Sequence, residues 1–553
     1  MSTAAARTRA LITPTNVFIA LVPIALVLIV YMGRDTLPLL DEWTWITERR
    51  PWTWHVFFEP HNDHLSLVPM LVYKLLMATA GLEHHAAYRV VLALLHGTCA
   101  TLVFVLVKQR LGGWEAVVAG GVMLFLGSAS DDLLWTFQIS FLLTVAFGLA
   151  ALVALDRETS RGDLFAGIFL AVSIASSSLG LPIAAGIFVE LLLKGGIRQR
   201  RMLIVAVPLA LYVPWYLVYG QSKTRYDTLG DAVKWGLDMA ASAFGGFAGS
   251  GLVRGRLIGA LFVALILVAL WRRWRPTPRA YGLAAMLLLF WGLTALARQN
   301  IQPATTSRYI YLGAVLIVLL TAEALRDMKR PPWLIAGAAV LAIIGAGLNF
   351  KTLNDAGDYL RSVSAAGRAE LGAMELAGRA ATPDVFARDE FVQDGPYLDA
   401  VAALGSPATP RDELTRLPLD GRRRIDLTLQ QLGRVRLNLR PHGRVTGTAP
   451  TAGAVSGGTT RVVDNCVELK AAGGKPASAE VTPAGERLLL VAIDRPVAIS
   501  AARFGDGGMS PPLGTASTKG RVELVARRDA LAEPAWRVRL TTTGRAGVCP
   551  FGT

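Results

Sequence analysis

The chain has 553 residues, of which 53% are hydrophobic and 18% are charged, and its formal net charge at pH 7 is +15. This composition is too apolar for an ordinary soluble enzyme. The basic residues lie between apolar blocks and do not form a patch interleaved with aromatics, so they indicate a membrane protein in contact with lipids and exclude nucleic acid as an expected partner.

Apolar blocks in the first 350 residues predict helices that cross a membrane, since a crossing needs about 20 mainly apolar residues. The first block, Val17–Met32, follows Arg7 and Arg9 and has no small-residue cleavage pattern after it, so we expect an uncleaved helix. Eleven crossings are predicted, near 15–33, 86–107, 113–128, 138–155, 163–177, 180–194, 202–219, 254–271, 280–297, 308–325 and 333–350. The close pair at 163–194 could instead be one broken helix.

The charges of the connecting loops predict the orientation of these crossings. Every strongly basic short loop falls on one side, including residues 194–201 and the group Arg272, Arg273, Arg275 and Arg279. Lys and Arg accumulate in cytoplasmic loops, so this side is expected to be the cytoplasm, with the N-terminus on it. An odd number of crossings then places the C-terminal part outside the cytoplasmic membrane.

The first outer loop, residues 34–85, has the densest polar chemistry of the chain. It contains Asp41-Glu42 and, further on, the run His61-Asn62-Asp63-His64. Adjacent carboxylates at a low-dielectric surface can provide a general base. The alternative is a solvated acidic loop. A divalent metal at His61 and His64 stays open as a lesser alternative, but the sequence offers no separated third ligand, so we expect no cofactor.

The end of this loop predicts a helix at the membrane interface. Residues 65–80 are apolar but include Lys74, and the orientation argument favours a helix lying in or against the outer interface. Four tryptophans precede it, and Trp prefers that depth. They are Trp43, Trp45, Trp52 and Trp54.

Beyond residue 350 the composition changes to that of a domain outside the membrane. Residues 351–380 have helical spacing within a helical or irregular linker, 351–420. Short alternating runs then predict a β-sandwich over 421–553. The runs begin at Ile425, Val435, Arg487, Arg521 and Trp536.

Two of the three cysteines are expected to form a disulfide. Cys466 and Cys549 both fall in the outer domain, where the compartment oxidises thiols. Cys99 lies inside a predicted crossing and is interpreted as a small apolar residue.

The motifs of the outer segments resemble those of the GT-C class of polytopic membrane glycosyltransferases. The stretches that carry the resemblance are Asp41-Glu42, His64–Lys74, Gly81-Leu82, Ala86–Val90 and Ser307–Tyr311, together with His61–His64 and Trp135–Phe141, which look like those of bacterial O-antigen glucosyl-type transferases. The resemblance extends over residues 15–350. Leu65 departs from the pattern, since such proteins often have Arg there. Residues 421–553 lie outside it, although actinobacterial cell-envelope members append carbohydrate-binding β-sandwich domains.

The resemblance implies a hexosyl- or pentosyltransferase that uses a polyprenyl-phosphate sugar donor and a cell-envelope glycan or lipid acceptor, with inversion, on the outer face of the membrane. Asp41 or Glu42 would be the base, with Asp41 preferred by its position in the motif. The implied substrate-binding residues are His61, Asn62, Asp63, His64, Trp135 and Gln138. Those implied for the donor phosphate are Lys74, Arg89, Arg298, Arg308 and Tyr309, and each cation could instead extend to the lipid interface.

Two other classes of protein fit the same composition. A transporter or flippase for a lipid-linked glycan would have charged residues in the middle of its spans and internal repeats, and the sequence has neither clearly. A non-catalytic envelope-assembly protein would use the membrane part as a scaffold for a glycan-binding outer domain. The polar residues gather at the outer interface, which favours a transferase acting there.

Overall fold

The computed structural model describes residues 13–220, 228–271, 275–379, 394–439, 441–505, 512–529, 531 and 533–552. Arg7, Arg9, Arg272 and Arg273, which contribute to the predicted orientation, lie outside these residues. The chain divides into two compact units. One comprises Met1–Glu42 and Arg50–Arg361, and the other comprises Trp43–Arg49 and Ser362–Thr553.

The first unit is helical. Its α-helices are Pro14–Met32, Trp54–Phe58, Leu67–Ala80, Ala86–Arg110, Gly113–Leu124, Ser130–Leu134, Ile139–Leu155, Ser160–Ser176, Gly180–Gly195, Leu203–Tyr219, Leu229–Gly246, Leu252–Trp271, Pro278–Arg298 and Ile310–Leu325, with 3-10 turns at Thr136–Gln138, Arg200–Met202 and Ser307–Tyr309. Two further helices, Asp41–Thr47 and Pro332–Ala377, begin in this unit and continue past its boundary.

Each of the eleven predicted crossings coincides with a helix. Among the described residues, eight helices are long and apolar enough to cross a membrane. The other three predicted crossings are the shorter helices Gly113–Leu124, Ser160–Ser176 and Gly180–Gly195. The last two are separated by residues 177–179, so the structure has two helical segments at 163–194. The protein is therefore embedded in a membrane through several apolar helices, and the expected fold class of its first part is confirmed.

Local signals in the sequence fix where these helices begin. Thr13 and Thr277 each accept a hydrogen bond from the backbone N–H three residues later, and a proline follows each of them at the first helical position. Both features satisfy or remove N–H groups that a helix start leaves without a partner.

Burial separates central helices from peripheral ones. In the most apolar window of each helix, 78% of residues are buried for the span Thr136–Leu155 and 72% for Ser307–Leu325, against 6% for Leu252–Trp271. The centre of the helical unit therefore includes the first two of these spans, and the third presents its apolar side chains outward.

A set of paired charges, three of them buried, joins one end of several helices: the C-terminal ends of most of them and the N-terminal start of Pro278–Arg298. We call it the charge network: it consists of Arg110, Asp156, Glu190, Lys194, Arg279 and Glu323. Arg110 contacts Asp156 at 2.8 Å and Glu323 at 2.6 Å. Arg279 contacts Asp156 at 2.8 Å and also Glu190, which pairs with Lys194 at 3.1 Å. Three cations thus balance three carboxylates.

The second unit contains two helices before its β region, Asp394–Leu404 and Leu419–Gln431, and a 3-10 turn at Leu414–Arg416. The strand predicted at Ile425 is wrong, because this run belongs to the helix Leu419–Gln431. Ile425, Thr428 and Leu429 are buried at spacings of three and four residues, which is the periodicity of a helix face.

The β region consists of two antiparallel sheets. The strands are β1 Val435–Asn438, β2 Arg444–Val445, β3 Thr451–Ser456, β4 Gly458–Val463, β5 Cys466–Ala471, β6 Ala477–Thr482, β7 Arg487–Ala492, β8 Val497–Ala502, β9 Gly514–Ala516, β10 Arg521–Ala526, β11 Arg537–Thr542 and β12 Arg545–Gly552. One sheet has the order β1-β10-β7-β12-β5-β4, with β2 paired to β12, and the other has the order β3-β6-β11-β8-β9. The mainly β C-terminal region is thereby confirmed.

The predicted disulfide is confirmed as well. Cys466 at the start of β5 is bonded to Cys549 in β12, and these two strands pair side by side. Cys99 is a free, buried cysteine in the helix Ala86–Arg110.

Candidate active site

Glu42 is a buried carboxylate held by hydrogen bonds. Its Oε1 accepts a hydrogen bond from the Tyr73 hydroxyl at 2.7 Å and another from the Thr136 hydroxyl, and its Oε2 accepts from the backbone N–H of Leu39 at 2.9 Å. The His85 ring lies 3.7 Å away. Both oxygens are therefore occupied, and Glu42 joins the start of the outer loop to the helix Leu67–Ala80 of the same loop and to the turn Thr136–Gln138.

Asp41, the neighbouring residue, has a different environment. Its side chain is 23% exposed, and one carboxylate oxygen lies 3.6 Å from His61 Nε2. Burial raises the pKa of Asp41, but contacts with His61 and Asn62 and the charge of Arg308 outweigh this effect and lower the pKa below its usual value. Asp41 is therefore an ionised, accessible carboxylate at neutral pH.

A tight turn places the predicted histidines. The backbones of His61 and His64 exchange two hydrogen bonds, of 3.0 and 2.9 Å. Between them Asn62 and Asp63 adopt positive φ angles of 50° and 67°, a conformation that Asn and Asp tolerate better than most residues. The sequence Asn-Asp therefore allows the turn that carries His61 to Asp41.

His64 fastens this turn to two other segments. Its Nδ1 contacts the Ser178 hydroxyl, and its Nε2 lies 3.3 Å from the Arg298 guanidinium, which also donates to the backbone oxygen of Asn62 at 3.1 Å. Burial and the charge of Arg298 lower the pKa of His64 to about 3. His64 is therefore neutral, and its role here is to hold the turn.

Arg308 lies between aromatic rings. Its guanidinium carbon lies 5.4 Å from the centroid of Trp135 and 5.8 Å from that of Tyr309. Trp135 is fixed by a hydrogen bond from its indole N–H to the backbone oxygen of Leu39, 3.2 Å away. Within the described parts of the chain Arg308 forms no ion pair with a carboxylate. A guanidinium stacked on aromatics and lacking a counter-ion is suited to an incoming anion.

Two other predicted phosphate ligands are engaged elsewhere. Lys74 is buried and donates to the backbone oxygens of Arg50 and Pro51, at 3.1 and 2.8 Å. Arg89 donates to the backbone oxygen of Thr36 at 3.3 Å. The structure brings Asp41, His61, Asn62, His64, Trp135, Arg298 and Arg308 into one neighbourhood, and it uses Lys74 and Arg89 to fix backbone segments of the loop. Tyr309 donates to Gln302 at 3.2 Å and supports Arg308 with its ring.

The four tryptophans expected at the membrane interface differ in burial. Trp43 and Trp45 are buried, and Trp43 packs edge-on against Tyr397 within the second unit, with ring centroids 5.7 Å apart. Trp52 and Trp54 are exposed.

Two buried polar residues flank Trp135 in the sequence, one three residues before it and one three residues after it. Gln138, a predicted substrate ligand, is fully buried, and its amide atoms have no hydrogen-bond partner among the described residues. Asp132, which sequence reasoning did not select, is also fully buried, and both of its carboxyl oxygens are without a partner there. The available signal was the pair Asp131-Asp132 directly before the aromatic motif.

A metal centre has no obvious ligand set in this region. Across the described ranges, no group of three or more His, Cys, Asp or Glu side chains is arranged to hold a metal ion.

No protein-family model and no curated protein matches the sequence. Several solved structures are similar to it. ArnT from Cupriavidus metallidurans, bound to undecaprenyl phosphate, is 15% identical with a TM-score of 0.44, and the alignment covers 72% of this chain and 90% of ArnT.

Two further similar structures come from other organisms. The oligosaccharyltransferase AglB from Archaeoglobus fulgidus, in complex with an inhibitory peptide and a dolichol-phosphate, is 13% identical, with a TM-score of 0.42 and coverage of 76% of this chain and 69% of AglB. The arabinosyltransferase EmbB from Mycobacterium smegmatis is 11% identical, with a TM-score of 0.37 and coverage of 96% and 64%. These likenesses are distant, and the chemistry of the site is therefore inferred from the residues of this chain.

Proposed function

We propose that this protein is a membrane glycosyltransferase that moves a sugar from a polyprenyl-phosphate donor to a cell-envelope glycan or lipid acceptor. One observation carries the proposal: an accessible, ionised Asp41 lies within electrostatic reach of a guanidinium, Arg308, that forms no ion pair among the described residues. A carboxylate base and a free cation are the two groups that this transfer needs.

Asp41 is proposed as the general base. It takes the proton of the acceptor hydroxyl, and the oxygen attacks the anomeric carbon as the bond from that carbon to the donor phosphate breaks. The phosphate leaves with the bonding electron pair, and the anomeric configuration is inverted. The low pKa of Asp41 keeps the residue ionised before each turnover, and His61 orients it.

Arg308 is proposed to bind the donor phosphate. Negative charge builds up on the departing phosphate, and a fixed guanidinium stabilises it bidentately. Stacking on Trp135 and Tyr309 holds the guanidinium in place without neutralising it. Arg298 is the second cation near the turn, although the hydrogen bond to Asn62 already engages it.

Glu42 is assigned a supporting role. Its two oxygens accept three hydrogen bonds within the helical unit, so it cannot approach an acceptor hydroxyl without breaking them. It fixes the first turn of the helix Asp41–Thr47 and thereby the backbone of Asp41.

We also propose that transfer takes place on the outer face of the cytoplasmic membrane, with the N-terminus in the cytoplasm and the second unit outside. Two features support this orientation: the basic loops that the sequence places on the opposite side, and the disulfide Cys466–Cys549, which is typical of an oxidising compartment.

The decisive experiment compares Asp41→Asn with Glu42→Gln in cells that lack the native protein. Mass spectrometry of envelope glycans would first identify the sugar that is lost with the protein. We expect Asp41→Asn to lower transfer of that sugar by roughly 10²- to 10⁴-fold, the range for loss of a general base. Its melting temperature should stay unchanged, and its binding of undecaprenyl phosphate, the lipid in the ArnT structure, should not weaken.

Glu42→Gln is the matched control, because it makes the same chemical change one residue away. We expect it to destabilise the folded protein by about 1–3 kcal/mol, since an amide N–H₂ replaces an accepting oxygen, and to affect transfer less than Asp41→Asn. Transfer at the wild-type rate by Asp41→Asn would overturn the mechanism. If a stably folded Glu42→Gln protein lost more sugar transfer than Asp41→Asn, the base would be Glu42.

A further inference from the structure

Asp132 is a buried acid that the proposed reaction does not yet use. It belongs to the short helix Ser130–Leu134, is fully buried, and has no hydrogen-bond partner for either carboxyl oxygen in the part of the chain that the structure describes. Buried carboxyl groups are normally hydrogen-bonded, so an unpartnered one requires an explanation.

The neighbours that could donate to Asp132 bond elsewhere. Its electrostatic neighbours from adjacent helices are Cys99 and Tyr311. The Tyr311 hydroxyl lies 2.8 Å from His96 Nδ1, whose ring also contacts the backbone oxygen of Leu124 at 3.2 Å. The Cys99 thiol donates to the backbone oxygen of Leu142 at 3.5 Å. Neither neighbour therefore donates a hydrogen bond to Asp132, which is fully buried.

Asp132 and Arg308 are held near each other but do not pair. The backbone N–H of Asp131 donates to the Ser307 hydroxyl at 3.0 Å, which joins the short helix to the turn Ser307–Tyr309. Arg308 stacks on Trp135, three residues beyond Asp132, and is close enough to act electrostatically on Asp132. No ion pair links the two within the described residues.

The protonation state of Asp132 follows from this environment. Burial raises its pKa well above the usual value, the neighbouring Asp131 raises it further, and Arg308 opposes the shift. The charged and titratable groups that face it are Asp131, Arg308, Cys99 and Tyr311, with His96 behind Tyr311. Asp132 is therefore neutral at neutral pH.

We propose that Asp132 is a positioning residue for the donor phosphate that acts through Arg308: as a neutral acid it leaves the guanidinium charge free for the phosphate, and once ionised it competes for that charge. The inference rests on the proposed function and adds to it a proton-linked limit on donor binding. A phosphate dianion and an ionised Asp132 would share one cation and repel each other across a low-dielectric region.

The test is the pH dependence of undecaprenyl phosphate binding by the full-length protein in nanodiscs, measured upward from pH 7. A phosphate monoester has its second pKa near about 6, so the lipid is already a dianion above pH 7. As Asp132 ionises with rising pH, we expect the wild-type affinity to fall by about tenfold, equivalent to one pKa unit of interaction. For Asp132→Asn, which is neutral at every pH, we expect a change of less than about twofold.

Asp131→Asn is the matched control, because the neighbouring residue is half-buried and its backbone makes the contact with Ser307. It should keep a pH-dependent decline, moved to lower pH because Asp131 no longer raises the pKa of Asp132. Asp132→Leu is a second variant in case the asparagine variant folds poorly. It should also give a flat profile, because the neutral acid has no hydrogen bond to lose.

The possible outcomes separate the inference from the proposed function. Equal pH dependence in wild type, Asp132→Asn and Asp132→Leu overturns the inference and leaves the proposed function intact. Failure of the wild-type protein to bind undecaprenyl phosphate at pH 7 overturns both. A flat profile in the Asp132 variants together with a wild-type decline supports the inference.

Discussion

The charged residues at the two ends of three central helices differ in whether they form ion pairs. The helices are Ala86–Arg110, Ile139–Leu155 and Ile310–Leu325. At or just past their C-terminal ends lie Arg110, Asp156 and Glu323, all members of the balanced charge network. Directly before their N-terminal ends lie His85, Thr136 and Arg308, which border the proposed active site.

The difference indicates which charges stabilise the fold and which serve chemistry. A buried ion that is fully paired contributes to structure, and removing its partner is costly because the remaining charge stays buried. A cation such as Arg308, which forms no ion pair among the described residues, adds little to stability and can bind an anionic ligand, as proposed above. Substitution at each end should therefore change a different measured quantity.

The largest effect is expected for Arg279→Gln in the charge network. This change leaves Glu190 and Asp156 without one of their cations, which should destabilise the folded protein by about 3–5 kcal/mol. Melting temperature in detergent measures it. Arg256→Gln is the matched control, because Arg256 is 61% exposed in its pair with Asp238 and should cost about 0–1 kcal/mol. Equal losses in the two variants would contradict the interpretation of the network.

The second-largest effect is expected for Arg308→Gln, at the end of the helices that borders the proposed active site. We expect sugar transfer to fall by about 10²- to 10³-fold, since a fixed group that stabilises developing charge is lost, while the melting temperature stays the same. Arg298→Gln should instead lower the melting temperature and affect sugar transfer less, because Arg298 holds the turn through Asn62 and His64. Loss of melting temperature without loss of transfer in Arg308→Gln would make Arg308 a structural residue.

The smallest effect is expected for the loss of folding stability at low pH that arises from protonation of His64. Its pKa of about 3 lies below the usual value near 6.5, so the unfolded chain takes up the proton first as the pH falls. The stability that neutral His64 contributes is therefore present above about pH 6.5 and is lost as the pH falls toward 3. Between pH 7 and 5.5 we expect a loss of about 1 kcal/mol. His64→Gln should lose less, and an equal acid sensitivity of both proteins would refute this.

Apolar blocks were sufficient to predict helices at the eleven expected crossings, although not the helix Leu229–Gly246. All eleven predicted crossings are helices because a long apolar stretch flanked by polar residues has few other stable arrangements in a membrane. The same reasoning failed at Ile425, where the run Ile-Asp-Leu-Thr-Leu alternates as a strand would and also fits a helix face. Burial against neighbouring segments decided between the two.

The candidate site was predictable where its residues are close in sequence. Asp41, His61 and Asn62 belong to one loop, so their chemistry can be recognised in a single stretch. The distinction between Asp41 and Glu42 could not be predicted, since it depends on Tyr73 and Thr136, which approach from other segments. Residue type likewise does not separate Arg308 from Arg89, or Asp132 from Asp131, because only tertiary contacts determine which side chain is paired or buried.

The state of the three cysteines makes the protein suitable for site-specific labelling. Cys466 and Cys549 are joined, and Cys99 is buried in the helix Ala86–Arg110, so the folded, oxidised protein has no accessible thiol. The substitution Trp54→Cys, at a position that is 81% exposed, can therefore be labelled without removing a native cysteine. A polarity-sensitive fluorophore at that position would report how deeply the outer loop lies in the lipid headgroups.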